Sequence, residues 1–192
     1  MPFDSLRDFM DHLESRGRLV RVRAPVSPVL EMTEIHTRLL AEKGPAVLFE
    51  NVEGYDIPVL VNLFGTVERV AWGMDKEPGE LRQLGQMLAF LKQPEPPGGW
   101  QQAMELVPLL RRALSMRPKG VSRAPCQEVV LRGDDIDLAK LPVQSCWPGE
   151  PAPLITWPLV VTKGPSKERT DAFNLGIYRM QVTGRNRTLM RW

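Results

Sequence analysis

The hydrophobic period of this chain changes once, and that change constrains the fold more than any other feature. Up to about residue 115, apolar residues recur at helical spacing between short strand-like runs. Beyond Pro118 the chain becomes rich in β-branched and apolar residues broken by turn signals, and helical periodicity disappears. The pattern predicts an α/β domain over residues 1–118 and a β domain over 119–192, joined near 116–124. About seventy residues of β texture make three or four strands with open edges, which seldom bury enough surface to stand alone.

Within the first part, Asp4 is placed to cap a helix running to about Ser15, with Leu6, Phe9, Met10 and Leu13 on one face. Gly17 ends it. The run RLVRVR (18–23) alternates apolar and basic residues and predicts a strand with one solvated face. A second helix is predicted over 30–42, then strands over 46–50 and 58–64, and helices over 67–73, 79–91 and 101–115. The segment KQPEPPGG (92–99) breaks the last two helices apart. In the second part, strand texture covers 127–131, 154–162, 173–182 and 188–192, with turns at Gly133-Asp134-Asp135 and Thr183-Gly184-Arg185-Asn186.

Charge and composition exclude several classes. A net charge of +2 gives no basic face for nucleic acid. The longest apolar runs, 58–64 and 154–161, fall far short of the ~20 residues that span a bilayer. The amphipathic start MPFDSLRDFMDHL is unlike a signal peptide. Two cysteines, Cys126 and Cys146, make no disulfide framework, and reduced thiols in a cytoplasmic protein are expected.

Few residues carry chemistry. His12 and His36 lack a ligand-type partner at i+4, and ordinary helical histidine is the expectation. Cys126 and Cys146 read as buried small apolar groups. Asp134, Asp135 and Asp137 sit in GDDID, where aspartate bonds its own backbone in a turn. There remain Asn174, Ile177, Tyr178 and Arg179, then Arg191 and Trp192. On a strand, Asn174, Gly176 and Tyr178 share one face, and Ile177 and Arg179 the other. A neutral amide oxygen suits a hard divalent cation that also holds a phosphate. A fixed guanidinium can grip a carboxylate through two parallel hydrogen bonds. An ordinary half-exposed strand with a surface arginine fits the same spacing.

The whole chain resembles the N-terminal part of the UbiD family of decarboxylases. The likeness runs in order through LRDFMDHLESRGRLVRV, EMTEIHTRLL, GPAVLFENVEGYDIPVLVNLFGT, MLAFLKQPEPP, APCQEVVLRGDDIDLAKLPV, CWPGEPAPLITWPLVVTKGP and NLGIYRMQ…LMRW. It implies that the β region supplies the first strands of a split β-barrel flavin-binding domain, left incomplete here. It also implies prenylated FMN as cofactor, with Mn²⁺ and in some members K⁺. By motif, Asn174 resembles the asparagine whose side-chain oxygen binds the metal. Ile177, Tyr178 and Arg179 resemble the cofactor-lining IYR stretch. Arg179 also resembles the catalytic arginine, and Arg191 and Trp192 match the RW of the next cofactor-contacting stretch.

The reaction so implied is non-oxidative decarboxylation of a 4-hydroxy-3-polyprenylbenzoate, as in ubiquinone biosynthesis, or of a related aromatic acid. Implied partners are that substrate, a flavin prenyltransferase that supplies the cofactor, and further copies of the chain. Nucleic acid is not among them. The polyprenyl substrate implies contact with the membrane surface, hence a cytoplasmic protein peripheral at the inner membrane. The family pattern continues past RW through a histidine and later acidic residues that complete the metal site and supply the proton. The alternative expectation is therefore a truncated, non-catalytic fragment that acts as a folded or oligomerising domain.

Overall fold

The structure is a computed structural model that describes residues 3–93, 104, 107, 120–165 and 173–191. Helix α1 (Leu6–Ser15) begins at Ser5, whose hydroxyl accepts from the Asp8 amide at 3.2 Å while the Asp8 carboxylate accepts from the amides of Asp4 and Ser5. The cap is thus Ser5 and not Asp4, because Ser5 is the residue with a helix acid three positions on. Gly17, at φ +65°, turns the chain out of the helix. Phe9 and Leu13 are buried beneath it, and the Phe9 ring stacks on Phe64 at 6.1 Å.

Strand β1 (Leu19–Val22) leads through α2 (Glu31–Ala41) to a parallel neighbour, β2 (Ala46–Phe49), which pairs antiparallel with β3 (Val59–Val61). All four residues of β2 are buried, as expected of a central strand covered on both faces. Val26, Met32, Val47, Phe49, Val52 and Val61 form the core, with Ile35 and Leu39 of α2 packed against it. At the solvated end, Arg21 of β1 bonds Glu14 at 2.8 Å and Glu50 at 3.1 Å. The guanidinium holds both carboxyls below their ordinary range.

The remaining helices are α3 (Val67–Gly73) and α4 (Leu81–Lys92), the latter preceded by a 3-10 turn at Pro78–Glu80. The predicted helix at 101–115 lies outside the described residues except for Met104 and Val107, which are helical. Among the described residues, no helix is long and apolar enough to cross a membrane.

The second half differs from the sequence reading in three ways. Residues 127–131 are not a strand; 3-10 turns at Pro125–Gln127 and Gly133–Asp135 flank them, and Val129 is 80% exposed, with no buried face to fix a register. The run 154–162 is two strands, β4 (Leu154–Ile155) and β5 (Leu159–Lys163), because Pro158 has no amide to continue the ladder. The run 173–182 likewise divides into β6 (Phe173–Ile177) and β7 (Met180–Gly184) at Tyr178 and Arg179. Strand β8 (Arg187–Met190) completes the set.

The two breaks redistribute the strands. β5 pairs with β6 alone, while β4, β7 and β8 form a second sheet in that order. Both sheets are open, so the described residues show α/β character and open sheets rather than a closed barrel. The GDDID segment forms turns as expected. The Asp137 carboxylate accepts from the Ala139 amide at 3.0 Å, and Arg185, at the tip of the β7–β8 hairpin, donates to the Asp134 carbonyl and lies 3.8 Å from Asp137.

The chain packs as two compact units that cut across the linear division at 118/119. One comprises Val67–Val130, the other Phe3–Thr66 together with Leu131–Trp192. Backbone pairing joins the two parts of the larger unit: Leu30 donates to the Ser145 carbonyl at 2.9 Å and Ser145 donates to that of Pro28 at 3.2 Å. The Gln144 amide also reaches the Met32 sulfur at 3.4 Å.

Candidate functional site

The site grows from the register of the β7–β8 hairpin. Met180 pairs with Met190 and Gln181 with Leu189, while Leu154 of β4 pairs with Gln181 from the other side. Leu154, Gln181 and Leu189 therefore stand in one cross-strand row. Arg179 and Arg191 sit one step beyond the last pair, at the open end of the hairpin. Both line a cleft of about 600 Å³ on the same sheet as that row. Its remaining walls are Met190 and the 147–151 loop, through Trp147, Glu150 and Pro151.

Two guanidiniums facing each other across a strand pair repel, and an anion between them removes the penalty. Among the described residues, Glu150 is the one carboxylate on the cleft wall. Its Oε2 is occupied as an acceptor, from the Cys146 amide at 2.6 Å and the Trp147 amide at 3.2 Å. The two amides that donate to this carboxylate brace the loop, and the cleft wall carries two guanidiniums against one carboxylate. The sequence reading placed no acidic residue beside Arg179; loop 147–151 folds back and brings one there.

Asn174 and Tyr178 make a separate contact. The Asn174 Nδ2 donates to the Tyr178 hydroxyl at 3.0 Å, and neither residue lines the arginine cleft. On β6, Asn174 opposes Thr162 and Gly176 opposes Val160. Ile177 opposes Leu159 and stands on the other face with Val161 and Leu175, all more than half exposed. The six residues singled out in the sequence therefore divide: Arg179 with Arg191, Asn174 with Tyr178, and Ile177 on an apolar face. Trp192 lies outside the described residues.

A second cavity, of about 780 Å³, lies within the larger unit between β3 and residues 141–144 and 154–159. Its wall is mostly apolar, and burial lowers the pKa of His36 on that wall below the ordinary 6.5. Cys146 is buried and its thiol is pushed up by desolvation, whereas Cys126 is exposed, contrary to the expectation that both are buried. Cys126 follows Pro125 in a surface 3-10 turn that has no apolar neighbour layer to enter.

Two family models match the chain in succession. Residues 10–88 match the 3-octaprenyl-4-hydroxybenzoate carboxy-lyase N-terminal domain, and residues 119–192 match the Rift-related domain of the same carboxy-lyase. The chain belongs to the UbiD family. Solved structures agree with this membership. The UbiD-class enzyme HmfF from Pelotomaculum thermopropionicum, in an evolved dimeric form in complex with prFMN, superposes with a TM-score of 0.72 at 28% identity, over 99% of this chain and 38% of that one. The apo 3,4-dihydroxybenzoic acid decarboxylase from Enterobacter cloacae gives 0.73 at 26%, over 100% and 37%. The vanillic acid decarboxylase of Sedimentibacter hydroxybenzoicus, in its open form with one truncated component, gives 0.73 at 26%, over 99% and 38%. The chain thus spans a little over a third of the length of these UbiD-class structures.

The donor set bears on what a UbiD cofactor would find here. Two arginines beside Leu154, Leu189 and Met190 fit a group with an anionic end and an apolar planar body. A divalent ion fares differently. Among the described residues no three His, Cys, Asp or Glu side chains cluster closely enough to hold one, and the oxygen offered by Asn174 is neutral. The flavin fits the residues present, whereas the metal finds one ligand of the several it requires.

Sequence reasoning missed Glu150, Gln181, Leu154 and Leu189 as wall residues of the arginine cleft. Gln181 and Leu189 were reachable from it, since both lie two positions from the arginines on the same strand faces. Glu150 was not, because a loop and not a periodicity delivers it.

Proposed function

We propose that the chain forms the flavin-side half of a prenylated-FMN-dependent decarboxylase acting on an aromatic acid. The observation that carries this reading is the arginine pair at the mouth of the β7–β8 hairpin, an excess-positive cleft with apolar walls. Arg179 would grip the substrate carboxylate through a bidentate pair and so orient the carboxyl-bearing carbon. Arg191 balances the cofactor's negative end, with Ile177, Tyr178 and Trp192 as further cofactor-lining residues. Asn174 would offer one oxygen to a Mn²⁺ ion, with K⁺ as a second ion, and the other ligands that such an ion needs would have to come from outside the described residues. When bound, the prenylated flavin supplies an electron sink for the carbon that loses CO₂. Covering of the cleft by the rest of a full-length enzyme would exclude water and strengthen the arginine–carboxylate contact.

Within aromatic acids, the match to the 3-octaprenyl-4-hydroxybenzoate carboxy-lyase models favours a 4-hydroxy-3-polyprenylbenzoate as substrate. The structures of similar fold act on smaller acids by name, vanillic and 3,4-dihydroxybenzoic. The partners of this reading are a flavin prenyltransferase that makes the cofactor, further copies of the chain, and the surface of the membrane that holds a polyprenyl substrate. The division of the chain into 1–118 and 119–192 belongs to the same reading.

The experiment is Arg179→Ala in a full-length UbiD relative that carries this segment. Losing a charge-assisted bidentate contact is expected to lower turnover roughly 30- to 1000-fold while flavin stays bound. Turnover within a few-fold of the parent enzyme removes Arg179 from the reaction.

A further inference from the structure

We propose that the apolar cavity beside β3 receives the polyprenyl tail of an acid whose carboxylate is held in the arginine cleft. The inference rests on the reading above that the substrate is a 4-hydroxy-3-polyprenylbenzoate, and it adds where the tail goes. The two cavities meet at β4, where Leu154 is common to the walls of both. The Leu154 amide donates to the Gln144 carbonyl at 3.1 Å, which ties the strand to the 141–144 wall. A chain that leaves an aromatic ring held at Arg179 reaches the second space by way of Leu154. At about 780 Å³, that space falls within the range of small-molecule sites, roughly 300–1,000 Å³.

The wall selects hydrocarbon. Leu40, Val61, Leu63, Val143 and Ile155 supply its apolar face. Its two amide side chains are engaged with the protein: Asn62 donates to the Gly44 and Pro45 carbonyls at 3.1 and 2.9 Å, and Gln144 donates to the Met32 sulfur at 3.4 Å. They offer a polar ligand little in exchange for its water. Burial also holds the pKa of His36, on the same wall, below 6.5, as a water-poor surface does. An isoprenoid chain gains by leaving water there, about fourfold in affinity for each carbon group that it buries. The face of β5 and β6 bearing Val161, Leu175 and Ile177 is also apolar, but each of these is more than half exposed. A chain laid on that face would keep one side in water.

The test titrates the methyl NMR spectrum of the 192-residue chain with farnesol as the tail alone, 4-hydroxybenzoate as the head alone, and 3-farnesyl-4-hydroxybenzoate as both. Farnesol is expected to shift the methyls of Leu40, Val61 and Ile155 and to leave those of Val161, Leu175 and Ile177 in place. The joined probe should bind roughly tenfold or more tightly than 4-hydroxybenzoate. Leu40→Glu puts a charge at a half-exposed point of the wall and should weaken farnesol roughly tenfold or more. The shift map of the unaltered chain stands whether or not that variant folds. Farnesol shifts confined to the β5–β6 face, or unchanged farnesol affinity in a folded Leu40→Glu chain, overturn the proposal. So does farnesol that enters the cavity of this chain but not that of a full-length UbiD relative carrying the segment, because further polypeptide then fills it. Cavity methyls that shift when the chain is concentrated without a probe would give the space to a second copy and overturn the proposal as well. The arginine reading fails separately: a joined probe that moves the cavity methyls and leaves the Arg179 and Arg191 side chains unmoved keeps the tail site and removes the arginine cleft.

Discussion

Arg179 and Asn174 are legible in the sequence as residues because their chemistry is in their side chains, but their neighbours are not. Asn174 finds Tyr178 through a period of two, which a sequence shows. Arg179 shares its cleft with Glu150 through a loop that two amide hydrogen bonds brace, which a sequence does not show. Glu150→Ala should accordingly loosen the 147–151 wall. The half-buried Cys146 amide and the exposed Trp147 amide lose a charged acceptor, at a cost of about 1–3 kcal/mol, read as a lower denaturant midpoint. An unchanged midpoint together with unchanged exchange at the Cys146 and Trp147 amides would remove Glu150 as the brace. The cysteines give a second check at this scale. Cys126 is exposed, while Cys146 is buried with its thiol held protonated by desolvation. A thiol reagent at pH 8 should titrate one group quickly and the other only on unfolding; two thiols of equal rate would mean that the 146 region is open.

Among the elements, those with a strong period and a clear stop came through: α1, β1, α2, β2 and β3 lie within a residue or two of expectation in each case except the longer run 58–64. The β region was legible in composition and not in connection. Its two long apolar runs each cross from one sheet to another, and only Pro158 marks a break in the sequence. The hairpin register also shifts between Val182 and Gly184, an irregularity that decides what faces Arg179 and that turn residues alone do not reveal. Helix α2 gives a pH prediction. Burial lowers the pKa of His36 from 6.5, so the folded chain resists the proton that the unfolded chain accepts. This contribution to stability is complete above pH 6.5 and declines as pH falls below it, until the folded form is protonated as well. Denaturant midpoints should drop between pH 7.5 and 5.5, and His36→Gln should drop less across the same interval. Parallel curves for the two chains would show that His36 is not desolvated.

For the molecule as a whole, the sequence showed an α/β part and a β part, and the structure unites the first 66 residues with those after 131 through pairing at Ser145. That union was hidden because a bridge of single residues leaves no periodic trace. It also sets what the chain can do on its own. The arginine cleft is present, but Arg179 lies at an exposed sheet end, where an ion pair is screened and contributes about 0–1 kcal/mol. Asn174 offers a divalent ion one neutral oxygen where about six hard ligands with compensating charge are needed. The face of β5 and β6 bearing Leu159, Val161, Leu175 and Ile177 stands open to water, each residue at least 52% exposed. The 192-residue chain, supplied with prenylated FMN, Mn²⁺ and a 4-hydroxybenzoate, should therefore bind flavin weakly and release no CO₂ above a flavin-and-metal control. The same mixture assayed with a full-length UbiD relative should turn over repeatedly. Multiple turnovers by the chain alone would mean that residues outside those described complete the site, and that the arginine cleft is more enclosed in solution than the open sheets indicate.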